Sequence, residues 1–305
     1  MLPSLDWMIS RLKLKHLRLL IQLEEQGSLL KAATMVSMTQ PAATKALQEV
    51  EAALGGALFV RTNRGLKPND LGRCVTRYAR LIVQDLNHLR TEMAGIMSGH
   101  GGQIAVGTIM GAVPLLTHHL SIVLETLPDL RIELVEETSG QLLSLLDSGK
   151  LDLAICRPSV SSRPDLYKSQ LICEEQLAIV ANVSHPFAGR TATLADLSDC
   201  RWIVYAANMP MRRYLEHEFL SNGLPFPTHL IETTSAFATL SLLQRNPSFV
   251  ALLSTEVAKV LNKTHSTTTL DIGLPARSEP YYTVHRADRA LSPAAELLMR
   301  SLIDG

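Results

Sequence analysis

From Arg73 to Ala94 the chain contains neither glycine nor proline, and the apolar residues Val75, Ala79, Ile82, Leu86, Leu89, Met93 and Ile96 step forward by 4, 3, 4, 3, 4 and 3. This spacing predicts one long helix, capped by Asn69, whose narrow apolar seam suits a second helix. A wider stripe of period 3.6 would instead mark a helix lying on its own domain. A seam of this kind divides the chain: residues before 70 and residues after the glycines at 99, 101 and 102 must each find a core of their own. The run from Met93 to Leu124 carries no Lys, Arg, Asp or Glu, but the glycines and Pro114 interrupt it, so it reads as linker and strand rather than as a membrane span.

Ahead of the seam, apolar residues recur at helical spacing from Leu14 to Leu54, with breaks at Gly27-Ser28 and Ser37-Met38-Thr39. Three short helices are predicted. Ala32 and Ala33 are small enough for two of them to touch, and Thr39 caps the third with Pro41 in its first turn, where a missing N–H costs nothing. Gln40, Thr44 and Lys45 then fall on the exposed N-terminal part of that helix. Gln can pair with adenine, Thr can meet a thymine methyl and Lys can reach guanine or phosphate, which is what a helix-turn-helix needs of its second helix. A hairpin follows, Leu58–Thr62 and Leu66–Pro68, turned by Asn63-Arg64-Gly65; Arg61 and Arg64 suit a wing against phosphate or minor groove. The first hundred residues hold 13 basic and 8 acidic side chains and the remainder 16 and 21, so a formal net charge of zero conceals a basic head on an acidic body.

Beyond residue 102 strand and helix patterns alternate to the C-terminus, as expected for two open α/β lobes. The expected divisions are a winged helix-turn-helix at 1–70, a linker dimerisation helix at 71–98 and an effector domain at 102–305. Within the last, lobe I takes about 102–161 and 269–305, and lobe II about 162–268, with Arg157–Asp165 and Lys263–Thr269 as the crossing strands. Cys74, Cys156, Cys173 and Cys200 show neither zinc-ligand nor disulfide spacing, and the first residues lack a secretory apolar run, so a reducing, cytoplasmic setting is expected. No nucleophile elbow, zinc-protease, Walker A or Rossmann motif is present, which speaks against an enzyme; no cofactor or metal is expected.

The stretches Glu25-Gln26-Gly27-Ser28-Leu29-Leu30-Lys31-Ala32-Ala33, Thr39-Gln40-Pro41-Ala42-Ala43-Thr44-Lys45, Glu51-Ala52-Ala53-Leu54-Gly55 and Leu58–Gly65 resemble the head of LysR-type transcriptional regulators. Looser matches follow at Ser148–Ile155, His185-Pro186, Leu194–Leu197 and Leu291–Ala295, so the resemblance spans nearly the whole chain. It implies a homo-oligomer, usually a tetramer built from dimers paired through linker helices, on double-stranded promoter DNA, with RNA polymerase as a further partner. It also implies a two-lobed domain like a periplasmic solute-binding protein, in whose cleft a small molecule alters the bend of the promoter. Asn69 and Leu71 depart from the family's usual Thr and Ala, and Asn246-Pro247-Ser248 replaces a turn that usually contains Gly.

In open α/β lobes ligands sit beyond the C-terminal strand ends, against helix N-termini. Here that selects Ile109, Met110 and Gly111, Ser139, Ala206, and Thr233, Thr234 and Ser235 as effector-binding candidates. These loops offer hydroxyls and N–H groups without Asp or Glu, which suits an organic anion. The competing role for Ser139, Thr234 and Ser235 is helix capping, and the resemblance implies ligand contact at Ser139. A soluble solute-binding or sensor protein would need the lobes alone and has no use for residues 14–96.

Overall fold

The computed structural model describes residues 3–63, 65–98, 102–207, 209–273 and 278–304, with backbone alone at 88, 91, 92 and 94–98. Arg64, the glycines at 99 and 101 and the side chain of Ile96 therefore lie outside the described residues. The chain forms two compact units, Met1–Gln103 with Asp147–Lys150, and Ile104–Leu146 with Leu151–Gly305.

The first unit runs α1 (Leu5–Arg11), α2 (Leu14–Gln26), α3 (Leu29–Met35), α4 (Gln40–Leu54), β1 (Phe59–Thr62), β2 (Gly65–Pro68) and α5 (Asp70–Ser98). Left-handed glycines end α2 at Gly27 and α4 at Gly55, where a side chain would strain the backbone. The core is Leu19, Leu20, Leu23, Ala32, Ala33, Ala43, Ala46, Val50, Leu58 and Phe59; its four alanines let α2, α3 and α4 approach closely. Helix α1 was not foreseen. It buries no residue, so it has no apolar stripe to read, and it is held at its start by Ser4, whose hydroxyl accepts from the Trp7 N–H.

Helix α5 begins as expected, with the Gly72 N–H donating to Asn69 Oδ1 at 2.8 Å, and Asn69 Nδ2 donating to the Ala57 carbonyl. The seam is divided. Ala79 is buried and Val75 packs on the head's own core, whereas Ile82, Leu86, Leu89 and Met93 are 40–53% exposed. The first turns of the seam thus serve the head itself, which corrects the expectation of an uninterrupted dimer contact from Val75 onward.

The second unit holds two five-stranded sheets. One is ordered β4-β3-β5-β12-β6, from β3 (Gln103–Thr108), β4 (Arg131–Glu136), β5 (Leu153–Cys156), β6 (Tyr167–Cys173) and β12 (Tyr281–Arg286). The other is ordered β11-β7-β10-β8-β9, from β7 (Leu177–Asn182), β8 (Arg201–Val204), β9 (Leu230–Glu232), β10 (Phe249–Ser254) and β11 (Thr267–Thr269). Helices α6 (Val113–Thr126), α7 (Ser139–Asp147) and α11 (Pro293–Asp304) accompany the first sheet; α8 (Pro210–Ser221), α9 (Ala236–Arg245) and α10 (Thr255–Asn262) bury their apolar faces on the second. Each sheet has its own apolar cluster, around Leu116, Leu142 and Ile155 in one case and Trp202, Phe219 and Val250 in the other.

The expected lobe boundaries are corrected by strand pairing. β6 joins β12 antiparallel in the first sheet, so the chain stays in lobe I through Cys173 and crosses at 174–176 rather than at Arg157–Asp165. β11 pairs with β7 in the second sheet, so Lys263–Thr269 belongs to lobe II and the return lies after Thr269. Both strands are sheet edges: β6 buries Tyr167 alone among residues 167–171, and an edge strand without alternation gives no period of two to read. Asn246 closes the turn that lacks Gly by accepting from the Phe249 N–H and donating its amide to the Leu242 carbonyl. Among the described residues no helix is long and apolar enough to cross a membrane.

Candidate DNA-binding surface and effector pocket

Helix α4 turns Ala43, Ala46 and Val50 into the core and leaves Gln40, Pro41, Thr44 and Lys45 exposed. Thr39, also exposed, caps the helix by accepting from the Ala42 N–H at 3.4 Å. Thr44 Oγ1 donates to the Gln40 carbonyl at 3.0 Å, which leaves its methyl as the free part of the side chain, and Gln40 and Lys45 are exposed beside it. Arg61 is exposed on β1. Its predicted companion Arg64 is not among the described residues.

The hairpin is fastened to the helices. The Leu66 N–H donates to the Gly27 carbonyl at 2.8 Å, and Thr62 Oγ1 donates to the Gly65 carbonyl at 2.9 Å. Gly65 has φ +111°, and a Cβ there would stand 2.4 Å from the Gly27 carbonyl oxygen, so glycine alone fits this corner. Arg80 of α5 bridges Glu24 at 2.5 Å and Glu25 at 3.5 Å on α2, which fixes the head on the start of its long helix.

In the second unit a pocket of about 130 Å³ opens at the strand ends of both sheets. Ile109, Met110 and Gly111 reach it after β3, Glu136, Glu137 and Thr138 at the end of β4, and Arg157 after β5. From the other sheet come Tyr205, Met209 and Met211 after β8 and Thr234 after β9, while Glu175 enters from the crossing segment. Of the residues expected at an effector, Ile109, Met110, Gly111 and Thr234 line the pocket. Ser139, Ala206, Thr233 and Ser235 do not. The Ser139 hydroxyl accepts from the Arg157 N–H at 3.2 Å, the Ser235 hydroxyl caps α9 by accepting from the Ala238 N–H, and Thr233 Oγ1 accepts from the Ser235 N–H; Ala206 lies half-buried after β8.

The expectation of a cleft without acidic residues is corrected. Three carboxylates line it, Glu136, Glu137 and Glu175, together with one guanidinium, Arg157. Glu175 and Arg157 are both buried and paired, Arg157 Nη2 donating to Glu175 Oε2 and Nε to the Glu279 carbonyl at 3.1 Å. Burial pushes the Glu175 carboxyl up against the opposing pull of Arg157, and burial with the neighbouring Glu137 raises Glu136. The Tyr205 hydroxyl, pushed up by burial, points to Met110 Sδ at 3.7 Å. A sequence signal existed for the pair: Arg157 directly follows the wholly buried strand Leu153–Cys156, and Glu174-Glu175 directly precedes the wholly buried strand Leu177–Asn182. A charge at the end of a buried strand must be paired or face a cavity.

Two family models match the chain: the bacterial regulatory helix-turn-helix protein, lysR family, over residues 14–73, and the LysR substrate binding domain over residues 98–305. The HTH-type transcriptional regulator GbpR of Azospirillum brasilense is 34% identical over 301 residues, covering 97% of this chain and 88% of that protein. A GbpR of Rhizobium radiobacter is 31% identical over 250 residues, 81% of this chain and 82% of that one. Among solved structures, full-length CbnR complexed with its target DNA superposes with a TM-score of 0.67 at 20% identity, covering 95% of this chain and 99% of that one. Full-length OxyR from Pseudomonas aeruginosa follows at 0.66 and 18%, over 95% and 94%. These likenesses concern the fold.

Proposed function

Because the chain belongs to the LysR family of transcriptional regulators, which are not enzymes, we propose that it grips promoter DNA with α4 and the β1–β2 hairpin, and that a small molecule in the pocket at the strand ends switches this activity. The observation that carries the reading is the two-sidedness of α4: alanines inward, Gln40, Thr44 and Lys45 outward beside the exposed Arg61. Base readout falls to Gln40, Thr44 and Lys45, and Thr39 and Pro41 shape the turn that presents them. The exposed row Ile82, Leu86, Leu89 and Met93 supports pairing of two chains through α5, and a tetramer would follow from pairing of such dimers. RNA polymerase is the partner through which the change would be felt, and the setting is the cytoplasm. For the effector itself, the start of α9 near Thr234 supports an organic anion, and three carboxylates oppose one.

A mobility-shift titration on DNA from the protein's own upstream region, repeated across a salt series, tests the reading. Sequence-selective binding is expected, with the logarithm of the affinity falling linearly with the logarithm of the salt concentration. Equal affinity for that fragment and for random DNA would overturn the assignment of α4.

A further inference from the structure

Among the described residues one acceptor of the pocket lining is left without a donor. Glu175 is 2% exposed; its Oε2 is held by Arg157 and the Ser278 side chain also bears on the carboxylate, yet among the described residues its Oε1 has no hydrogen-bond partner. That second oxygen lies against Gly111 on the pocket wall, where an added Cβ would stand 2.1 Å from it, so glycine is the residue that leaves it room. A buried carboxylate oxygen without a donor is costly to keep, and a donor supplied by a ligand removes that cost. The charge balance points the same way. Arg157 is the only cation among the lining residues described, and its charge is answered by Glu175, while Ser278 Oγ and the Glu279 carbonyl take further N–H groups. Glu136 and Glu137, both on the exposed rim, have no cation beside them among the described lining residues, so an incoming anion would meet carboxylates there, screened in part by solvent. Thr138 and Thr234 add hydroxyls, and Ile109, Met110, Met209, Met211 and Tyr205 supply apolar walls. A pocket of this volume holds on the order of ten water-sized groups, which fits a molecule of modest size.

We propose that the effector is a small hydrogen-bond donor without net negative charge, bearing hydroxyl or ammonium groups, and that the Glu175 carboxylate is the acceptor that recognises it. This rests on the reading of the pocket as the effector site. It replaces the organic anion expected from the strand-end loops, because the acids that face the pocket come from the end of β4 and from the crossing segment, outside those loops.

The test is calorimetric titration and thermal shift of the full chain with myo-inositol, an aldohexose, putrescine and succinate, on the wild type and on Glu175→Gln. Gln keeps the shape and must turn its carbonyl toward Arg157, which puts its NH₂ where the free acceptor was. Binding of a polyol or an amine to the wild type, weakened tenfold or more by Glu175→Gln, is the expected result. The two sources separate by salt: amine binding weakens as salt rises and on Glu136→Gln, and polyol binding does neither. Should Glu175→Gln not fold, Gly111→Ala, which crowds the same oxygen, is expected to produce the same loss. Binding confined to succinate and altered by Glu175→Gln would overturn the donor class while leaving the pocket in place. Binding of any probe that Glu175→Gln and Gly111→Ala both leave unchanged would overturn the pocket.

Discussion

The recognition head and the pocket handle their polar groups in opposite ways. On α4 the residues proposed to meet DNA stand in solvent on one side of a helix whose other side is Ala43, Ala46 and Val50, so the folding of the head asks nothing of Gln40 or Lys45. In the second unit Arg157 and Glu175 are buried, paired with each other and tied to the backbone at Glu279, so the groups that would meet a ligand are also groups the fold depends on. A solvent-facing site can change its specificity one residue at a time. A buried one changes its stability whenever it changes its chemistry.

The largest expected effect lies where the two ways meet, on α5. Leu86→Asp puts a charge into the exposed row without touching the head's core, and it should cost about 100- to 10 000-fold in DNA affinity through loss of paired heads. Sedimentation should report a smaller species with a head that melts normally; an unchanged sedimentation profile would remove the seam as the dimer contact. Next comes Arg157→Ala, which strands a buried carboxylate and should destabilise the second unit by about 3 to 5 kcal/mol. Scanning calorimetry should show that transition lowered and the head's unmoved, and a silent variant would break the contrast. Gln40→Ala should leave both transitions in place and cost about 1 to 3 kcal/mol of discrimination at a single base pair. Equal losses on specific and random DNA would show that Gln40 does not read a base.

The smallest effect sharpens the comparison through pH. Burial lowers the pKa of His16 in the head, and of His119 and His185 in the second unit. At these histidines the unfolded chain, with its imidazoles near 6.5, binds more protons than the folded one as pH falls below that value, so their contribution to stability should be fully present above about 7 and decline on acidification toward 5, against the opposite contribution of the raised Glu136 and Glu175. Thermal melts of His119→Gln should lose part of that slope in the second unit alone, since His119 bonds Ser301 there through Nδ1 at 2.8 Å.

The head was legible because its signals are local. Thr39 and Pro41 announce a helix start, Gly27 and Gly55 announce helix ends, and Ala32, Ala33, Ala43 and Ala46 sit at helical spacing. The alternation of strand and helix in the second unit was legible for the same reason. The pocket was legible only by half, since Ile109, Met110, Gly111 and Thr234 lie at strand ends that the pattern predicts. Arg157 and Glu175 are 18 residues apart with the edge strand β6 between them, and only the sheet order brings them together. Ser139 shows the opposite error: its position was read correctly as the start of α7, but its hydroxyl is used by the Arg157 backbone.

The corner where Gly65 meets the Gly27 carbonyl bears on how such a head can evolve. Two positions 38 residues apart meet so closely that a Cβ at one would stand 2.4 Å from the carbonyl oxygen of the other, so they form a single locus for selection although they are separate in the gene. A larger residue at 65 can be accepted only after the end of α2 has moved, and moving it abandons the Leu66 anchor. Variation that retunes the hairpin is therefore channelled to its exposed strand positions such as Arg61 and Lys67, and lineages should differ there while the corner stays invariant.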